Sequence, residues 1–317
     1  SFFPTKDFKA LYEKHGIGTN AVLLAGHGTI RKLVVGRTNR KATEEEMKNM
    51  ESLVQKEMDA GAFGLTTGLF YAPGSYGDTD EIIALAKVVA KNNGIYDSHI
   101  RDEGSYSIGL KGAIEEAIEI GRQAKLPIHI AHIKCLGVDV WNQSKDIIEL
   151  IEKARKEGID VTADQYPYDA SATGLQAATV PRWAESGGKD SLFLRYNQAQ
   201  LRDKILKETK ENITRRGGPD KLLFVQTDDS MYVGKNLKEV AQILQLPAEA
   251  AVYTVLKDRG VRVASFNMTQ NDIYNFMKKN YAHLDIPFLP DRVLKDISQN
   301  PQVTKPLAEN FTHLTDL

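Results

Sequence analysis

Cysteine, long apolar runs and net charge are what this sequence has least of. A single cysteine, Cys135, among 317 residues leaves no intramolecular disulfide to form, so the fold does not depend on an oxidising compartment, which suits a cytoplasmic protein. No window approaches the roughly 18 uninterrupted apolar residues of a membrane span. The first residues, Ser1-Phe2-Phe3-Pro4-Thr5-Lys6, show no basic region leading into an apolar one, the pattern of a secretory signal. Both ends nevertheless read as cuts, and removal of a signal peptide is compatible with a chain that starts without methionine. Lys+Arg 41 against Asp+Glu 42 gives a formal charge of -1, so no overall field draws in nucleic-acid phosphates or an anionic membrane. The phosphate loop Gly-x-x-x-x-Gly-Lys-Ser/Thr, the dinucleotide glycine fingerprint, the His-Glu-x-x-His helix and the Gly-x-Ser-x-Gly elbow are all missing. Their absence removes the usual signatures of nucleotide binding, zincin proteolysis and serine hydrolysis.

What is present is a chain able to bury a core, with 42% hydrophobic and 26% charged residues, outside the composition of disordered proteins. Its dominant feature is an alternation of short apolar strands and amphipathic helices, which argues for parallel βα units. Strands are expected at Asn20 to Gly26, Phe63 to Thr67, Ile95 to Ile100, Pro127 to Lys134 and Asp160 to Tyr166. Helices are expected at Ala42 to Ala60, where Thr43 and Glu46 form a capping-box signature, and at Asp80 to Asn92, Ser107 to Lys125 and Lys145 to Lys156. Five βα steps of roughly 30 residues each are the period of a (β/α) barrel or a doubly wound sheet. Residues 1–170 then hold the core βα units, and 171–280 form an elaboration after the fifth strand. Residues 281–317, with Pro287, Pro290, Pro301 and Pro306, form an irregular tail with no clear strand.

In an α/β barrel the active site lies at the carboxyl ends of the strands, and these ends are rich in polar residues. The third strand ends Ser98-His99-Ile100-Arg101-Asp102-Glu103-Gly104, the fourth Ala131-His132-Ile133-Lys134, the fifth Asp164-Gln165-Tyr166-Pro167-Tyr168. Strand side chains alternate faces, so His132 and Lys134 are expected to share a cavity, while His129 and Cys135 point away from it. His99 and Arg101 share a face by the same count. Histidines at two consecutive strand mouths suit one divalent metal, although each could instead be an ordinary hydrogen-bonded residue, and a catalytic zinc needs a third ligand. Lys134 and Arg101 could each meet a substrate carboxylate or simply be solvated. Tyr166 could donate to an oxyanion or sit at the rim. His27, in Gly26-His27-Gly28, reads as a supporting residue, and Cys135 as a small buried hydrophobe.

Gly26-His27-Gly28-Thr29-Ile30-Arg31, the run Gly61 to Tyr71, Ser98-His99-Ile100-Arg101-Asp102-Glu103-Gly104, Ala131-His132-Ile133-Lys134 and Asp164-Gln165-Tyr166-Pro167-Tyr168 follow in the order they take in the D-aminoacylase (N-acyl-D-amino-acid deacylase) family of the amidohydrolase superfamily. The sequence resembles that family from about residue 5 to about residue 280. The resemblance implies a TIM-like (β/α)8 metal-dependent hydrolase barrel, of which this chain supplies strands three to seven. It also implies hydrolysis of N-acyl-D-amino acids by a zinc-activated water, with His99 and His132 as metal ligands and Lys134 and Tyr166 in contact with substrate. The family's His-x-His motif, its cysteine ligand and its Ser-Asp-Gly aspartate, which serves as the base, have no counterpart here. The third ligand and the catalytic base are therefore unassigned, and catalysis by this chain alone is expected to be greatly reduced. Asp285 is a replacement base by location only.

The implied partner is a small N-acyl amino acid, with no nucleic acid and no membrane. An incomplete barrel exposes sheet edges, which a second copy of the chain or a completing segment would cover. Two other readings stand beside the deacylase: a non-catalytic scaffold that keeps the barrel wall, and a cyclic-amide or dipeptide hydrolase of the same superfamily.

Overall fold

A computed structural model describes residues 4–18, 20–257 and 260–284. The first half alternates strand and helix. Helix α1 (Thr5–His15) precedes β1 (Leu24–Gly26), α2 (His27–Val34), α3 (Glu44–Asp59), β2 (Gly64–Gly68), α4 (Thr79–Lys91) and β3 (Ile95–His99). Then follow α5 (Gly109–Ala124), β4 (Ile128–Ile130), α6 (Ser144–Lys156) and β5 (Val161–Gln165). Helix α3 starts where its sequence says it should: the Thr43 side chain accepts from the Glu46 backbone N–H, and Glu46 reaches back to the Thr43 N–H, satisfying two donors that a helix start leaves bare. Gly61 follows it with φ 95°, a left-handed conformation that glycine adopts without strain.

The five strands pair in chain order, all parallel. A sixth, β9 (Ala282–Leu284), joins parallel beside β5, where the sequence suggested an irregular tail. The tail beyond residue 284, with Asp285, lies outside the described residues. Among the described residues the sheet runs β1-β2-β3-β4-β5-β9 and does not close, which agrees with a (β/α)8 wall that is incomplete.

Between β5 and β9 the chain builds a second layer. It contains β6 (Ala170–Gly174), α7 (Leu175–Thr179), α8 (Lys189–Tyr196), α9 (Ala199–Arg215), β7 (Leu222–Gln226), α10 (Leu237–Leu244), α11 (Ala248–Val255), β8 (Arg262–Phe266) and α12 (Gln270–Met277). Strands β6, β8 and β7 form an antiparallel sheet over a separate apolar core that includes Leu175, Phe224, Val252 and Val263.

The parallel sheet has two unlike faces. Tyr96, Ile128, Ile130, Val161 and Ala163 are buried in the larger core with Ile82, Ile114 and Ile147 of the covering helices. On the other face the register aligns Thr66 with Asp97, Asp97 with His129, and His129 with Thr162. Burying that polar row is tolerable only if its groups pair, and they do: Thr66 Oγ1 donates to Asp97 at 2.7 Å, and His129 Nδ1 meets Thr162 Oγ1 at 2.8 Å. This row is the inward side of the barrel wall, and it leads up to the strand ends.

Candidate metal centre

His99 is the last residue of β3, on the inward face two positions beyond Asp97. His132 arrives by a different route. The sequence suggests strand up to Lys134, but β4 ends at Ile130, and His132 adopts φ 39°, a left-handed backbone that costs energy for a residue with a Cβ. That turn folds the imidazole back over β3. The counting of alternate faces from His132 therefore fails, and His129, expected to point away, shares the inward face with His99 one layer below.

The two imidazoles meet edge to face, with centroids 4.5 Å apart and His99 Nδ1 2.8 Å from His132 Nε2. Glu103, from the loop after β3, closes the group: its Oε1 lies 3.0 Å from His132 Nδ1 and its Oε2 4.0 Å from His99 Nε2. One donor atom from each of the three residues lies within 4.8 Å of the others. Lys134, almost fully buried, bonds the Glu103 carboxylate and reaches His132 Nδ1 at 2.7 Å. Its Nζ also stands 5.3 Å from the centroid of the Tyr166 ring, so His99, His132, Lys134 and Tyr166 come together. Phe70 and Tyr71 wall His99 with centroids at 6.0 and 4.9 Å.

The electrostatics follow from burial. Desolvation pushes His99 down to about 3, so its imidazole is neutral and has a lone pair to offer. Burial would raise Glu103, but Lys134 and the two histidines hold it well below the ordinary carboxylate range, so it stays an anion. Burial lowers Lys134, against the pull of Glu103.

This donor set fits a divalent cation. His99 Nε2 is buried without a hydrogen-bond partner, and an orphaned buried nitrogen calls for an explanation. Two imidazoles and a carboxylate are zinc-type ligands with bonds of about 2.0–2.2 Å, which the 4.0 Å gap between His99 Nε2 and Glu103 Oε2 can accommodate. In the sequence Glu103 stands inside the Ser98 to Gly104 motif with nothing to mark it as a donor. It follows His99 by four residues through a loop, where neither strand nor helix periodicity says what faces what.

Other candidates are used elsewhere. Arg101 turns out of the site after β3 ends: it pairs with Glu116 at 2.8 Å and donates to the carbonyls of Ser75 and Gly77, which leaves it holding a loop rather than a substrate. His27 is fully buried and bonds Glu81 at 2.7 Å, a supporting role. Cys135 is buried, and burial raises its thiol, so it is not an activated nucleophile.

The wall of parallel βα units that gathers two histidines, a carboxylate and a lysine at its strand ends shares its fold with solved D-aminoacylases, at TM-score 0.70. In sequence the chain is similar to curated deacylases. It is 38% identical over 161 residues to D-aminoacylase of Alcaligenes xylosoxydans xylosoxydans, covering 51% of this chain and 32% of that protein. It is 33% identical over 156 residues to N-acyl-D-glutamate deacylase of the same organism, covering 49% of this chain and 31% of that protein. The crystal structure of N-acyl-D-glutamate deacylase from Bordetella bronchiseptica, complexed with zinc and a phosphonate inhibitor, shares the fold with TM-score 0.72 at 22% identity, over 89% of this chain and 51% of that one. The matches thus span about a third of the curated relatives and half of the solved structure. No family model matches the chain.

Proposed function

We propose that this chain carries the zinc-binding wall of an N-acyl-D-amino-acid deacylase, with His99, His132 and Glu103 as ligands. The observation that carries the reading is the convergence of those three donors at two adjacent strand ends, with His99 Nε2 buried and unpartnered. Zinc held there would act as a Lewis acid on the acyl carbonyl.

The remaining steps belong to side chains of the chain itself. Lys134 has three N–H donors; two are directed to Glu103 and His132, which leaves one for the carboxylate of an N-acyl amino acid. Its pairing with Glu103 fixes the ammonium so that a carboxylate meets a placed charge rather than a flexible one. Tyr166, whose ring lies beside Lys134 and His132, would donate its hydroxyl to the acyl oxygen as charge develops there. Phe70 and Tyr71 pack beside His99 and would screen part of it from bulk water. Glu103 is committed to Lys134, and among the described residues no further carboxylate joins the cluster, so the base is left unassigned.

The test is a panel of N-acyl-D- and N-acyl-L-amino acids offered to the zinc-loaded chain, with binding followed by calorimetry and amino acid release by chromatography. Binding confined to the D series and weakened in Lys134→Met is expected, with any release of amino acid slow and confined to the same series. Neither binding nor release with any member of the panel would contradict the reading.

A further inference from the structure

His132 is the one residue of the cluster whose backbone has to be held against its own preference, and the structure shows what holds it. Asp164, on the inward face of β5, accepts the His132 backbone N–H with Oδ1. Its other oxygen, Oδ2, meets His129 Nε2 at 3.0 Å, and His129 is in turn fixed through Nδ1 by Thr162 at 2.8 Å. On either side the turn is tied by main chain alone: Ala131 donates to the Ser98 carbonyl at 3.0 Å and Ile133 to the Asp164 carbonyl at 2.9 Å. The Asp164 carboxylate therefore carries the single side-chain bond shown to the His132 amide, at the residue with φ 39°. A carboxylate accepting a backbone N–H in a partly buried site forms a strong, charge-assisted bond, one able to offset a left-handed residue.

We propose that Asp164, backed by His129 and Thr162, is a positioning residue that sets the direction of the His132 imidazole by clamping its backbone. This rests on His132 being a metal ligand. The hydrogen bonds of the Asp164 carboxylate go to the His132 peptide and to His129, not to a ring nitrogen of the cluster. Asp164 acts through the peptide of His132, and the polar row on the inward face becomes a support for the strand-end site above it. Groups that orient a metal ligand are worth about tenfold to a hundredfold in metal affinity.

The experiment uses the full chain with and without zinc. Amide exchange at His132 and Ile133 is read by NMR in the metal-free protein, and zinc affinity by competition with a chromophoric chelator. In Asp164→Ala the His132 amide is expected to exchange faster while Ile133, bonded to a main-chain carbonyl, stays protected, and zinc affinity is expected to fall about tenfold or more. Asp164→Asn keeps one acceptor oxygen and is expected to retain slow exchange at His132 and most of the affinity. Unchanged His132 exchange in Asp164→Ala, or unchanged zinc affinity once that amide is freed, would overturn the proposal. If Asp164→Ala unfolds, both amides exchange together and Asp164→Asn decides: slow exchange with zinc binding lost would overturn it. An unaltered chain that binds no zinc would sink the metal reading instead, and the clamp would then stand or fall on the exchange at His132.

Discussion

Glu103 balances a buried ammonium and two imidazoles, so its removal has more than one consequence. With Lys134 almost fully buried, Glu103→Gln leaves a cation without its counter-charge, and breaking a buried pair costs about 3–5 kcal/mol. Denaturant unfolding is expected to show a loss of that order, and zinc affinity should fall in the same variant. Lys134→Met in the Glu103→Gln background should recover part of the stability, because two apolar-compatible neutral groups replace an unpaired charge; a double variant less stable than either single one would argue against the pairing. At this scale the sequence was informative where chemistry and strand geometry coincide. His99 ends a strand, and its face follows from counting. His132 was found by its motif, but its orientation was not legible, because alternation stops at Ile130 and a left-handed residue intervenes. Arg101 misled for the same reason: two residues past a strand end, the chain can turn either way, and a long side chain goes where Glu116 and two carbonyls are.

Helix α2 and helix α4 are joined by a buried ion network rather than by apolar contact alone. Glu81 of α4 bonds both His27 and Arg31 of α2, all three almost fully buried. Burial alone would raise the Glu81 carboxyl, but its bonds to His27 and Arg31 hold it below the ordinary value of 4.5. A carboxyl with a depressed folded value contributes stability that is present above its unfolded value and is lost as pH falls through the folded one. Thermal stability is therefore expected to decline below pH 4.5, and Glu81→Gln should be less stable at neutral pH and show a flatter acid limb. Equal acid limbs in the two proteins would exclude the network as a source of acid sensitivity.

Strand β2 rests on a close approach. A Cβ at Gly64 would come within 2.0 Å of the Ile95 carbonyl oxygen on β3, a backbone atom that cannot turn aside. Gly64→Ala should destabilise by about 1–3 kcal/mol, the range for forced overpacking, in a chemical denaturation series; a neutral result would show that the β2–β3 register can shift. Element types were readable because hydrophobic period and capping agree: the Thr43 and Glu46 capping box is present as expected. Strand lengths were not, since apolar residues past Ile130 and before Leu24 continue the pattern without continuing the ladder.

Among the described residues, two apolar cores and a polar inward face organise the fold. The layer built between β5 and β9 is bound to the barrel wall by partly buried polar contacts, among them Tyr106 Oη to the Ala178 carbonyl at 3.0 Å, Tyr76 Oη to the Arg182 carbonyl at 2.8 Å, and Trp141 Nε1 to the Asn267 carbonyl at 2.9 Å. These pairs are far apart in sequence, which is why the strand–helix rhythm loosens after Tyr168: single helices and strands there are legible, but how they pack depends on partners more than sixty residues away. Strand β9 was hidden for a related reason. Three residues, Ala282–Leu284, carry no periodic signal of their own and become a strand by pairing with β5. No helix among the described residues is long and apolar enough to cross a membrane.

Zinc content per chain, measured by elemental analysis on the purified protein beside the His99→Ala/His132→Ala double variant, bears most directly on the site. About one zinc per chain, lost in the double variant while its secondary structure is kept, is expected if His99, His132 and Glu103 form one metal centre. No zinc in the unaltered chain after equilibration with the metal, or zinc retained by the double variant, would contradict it.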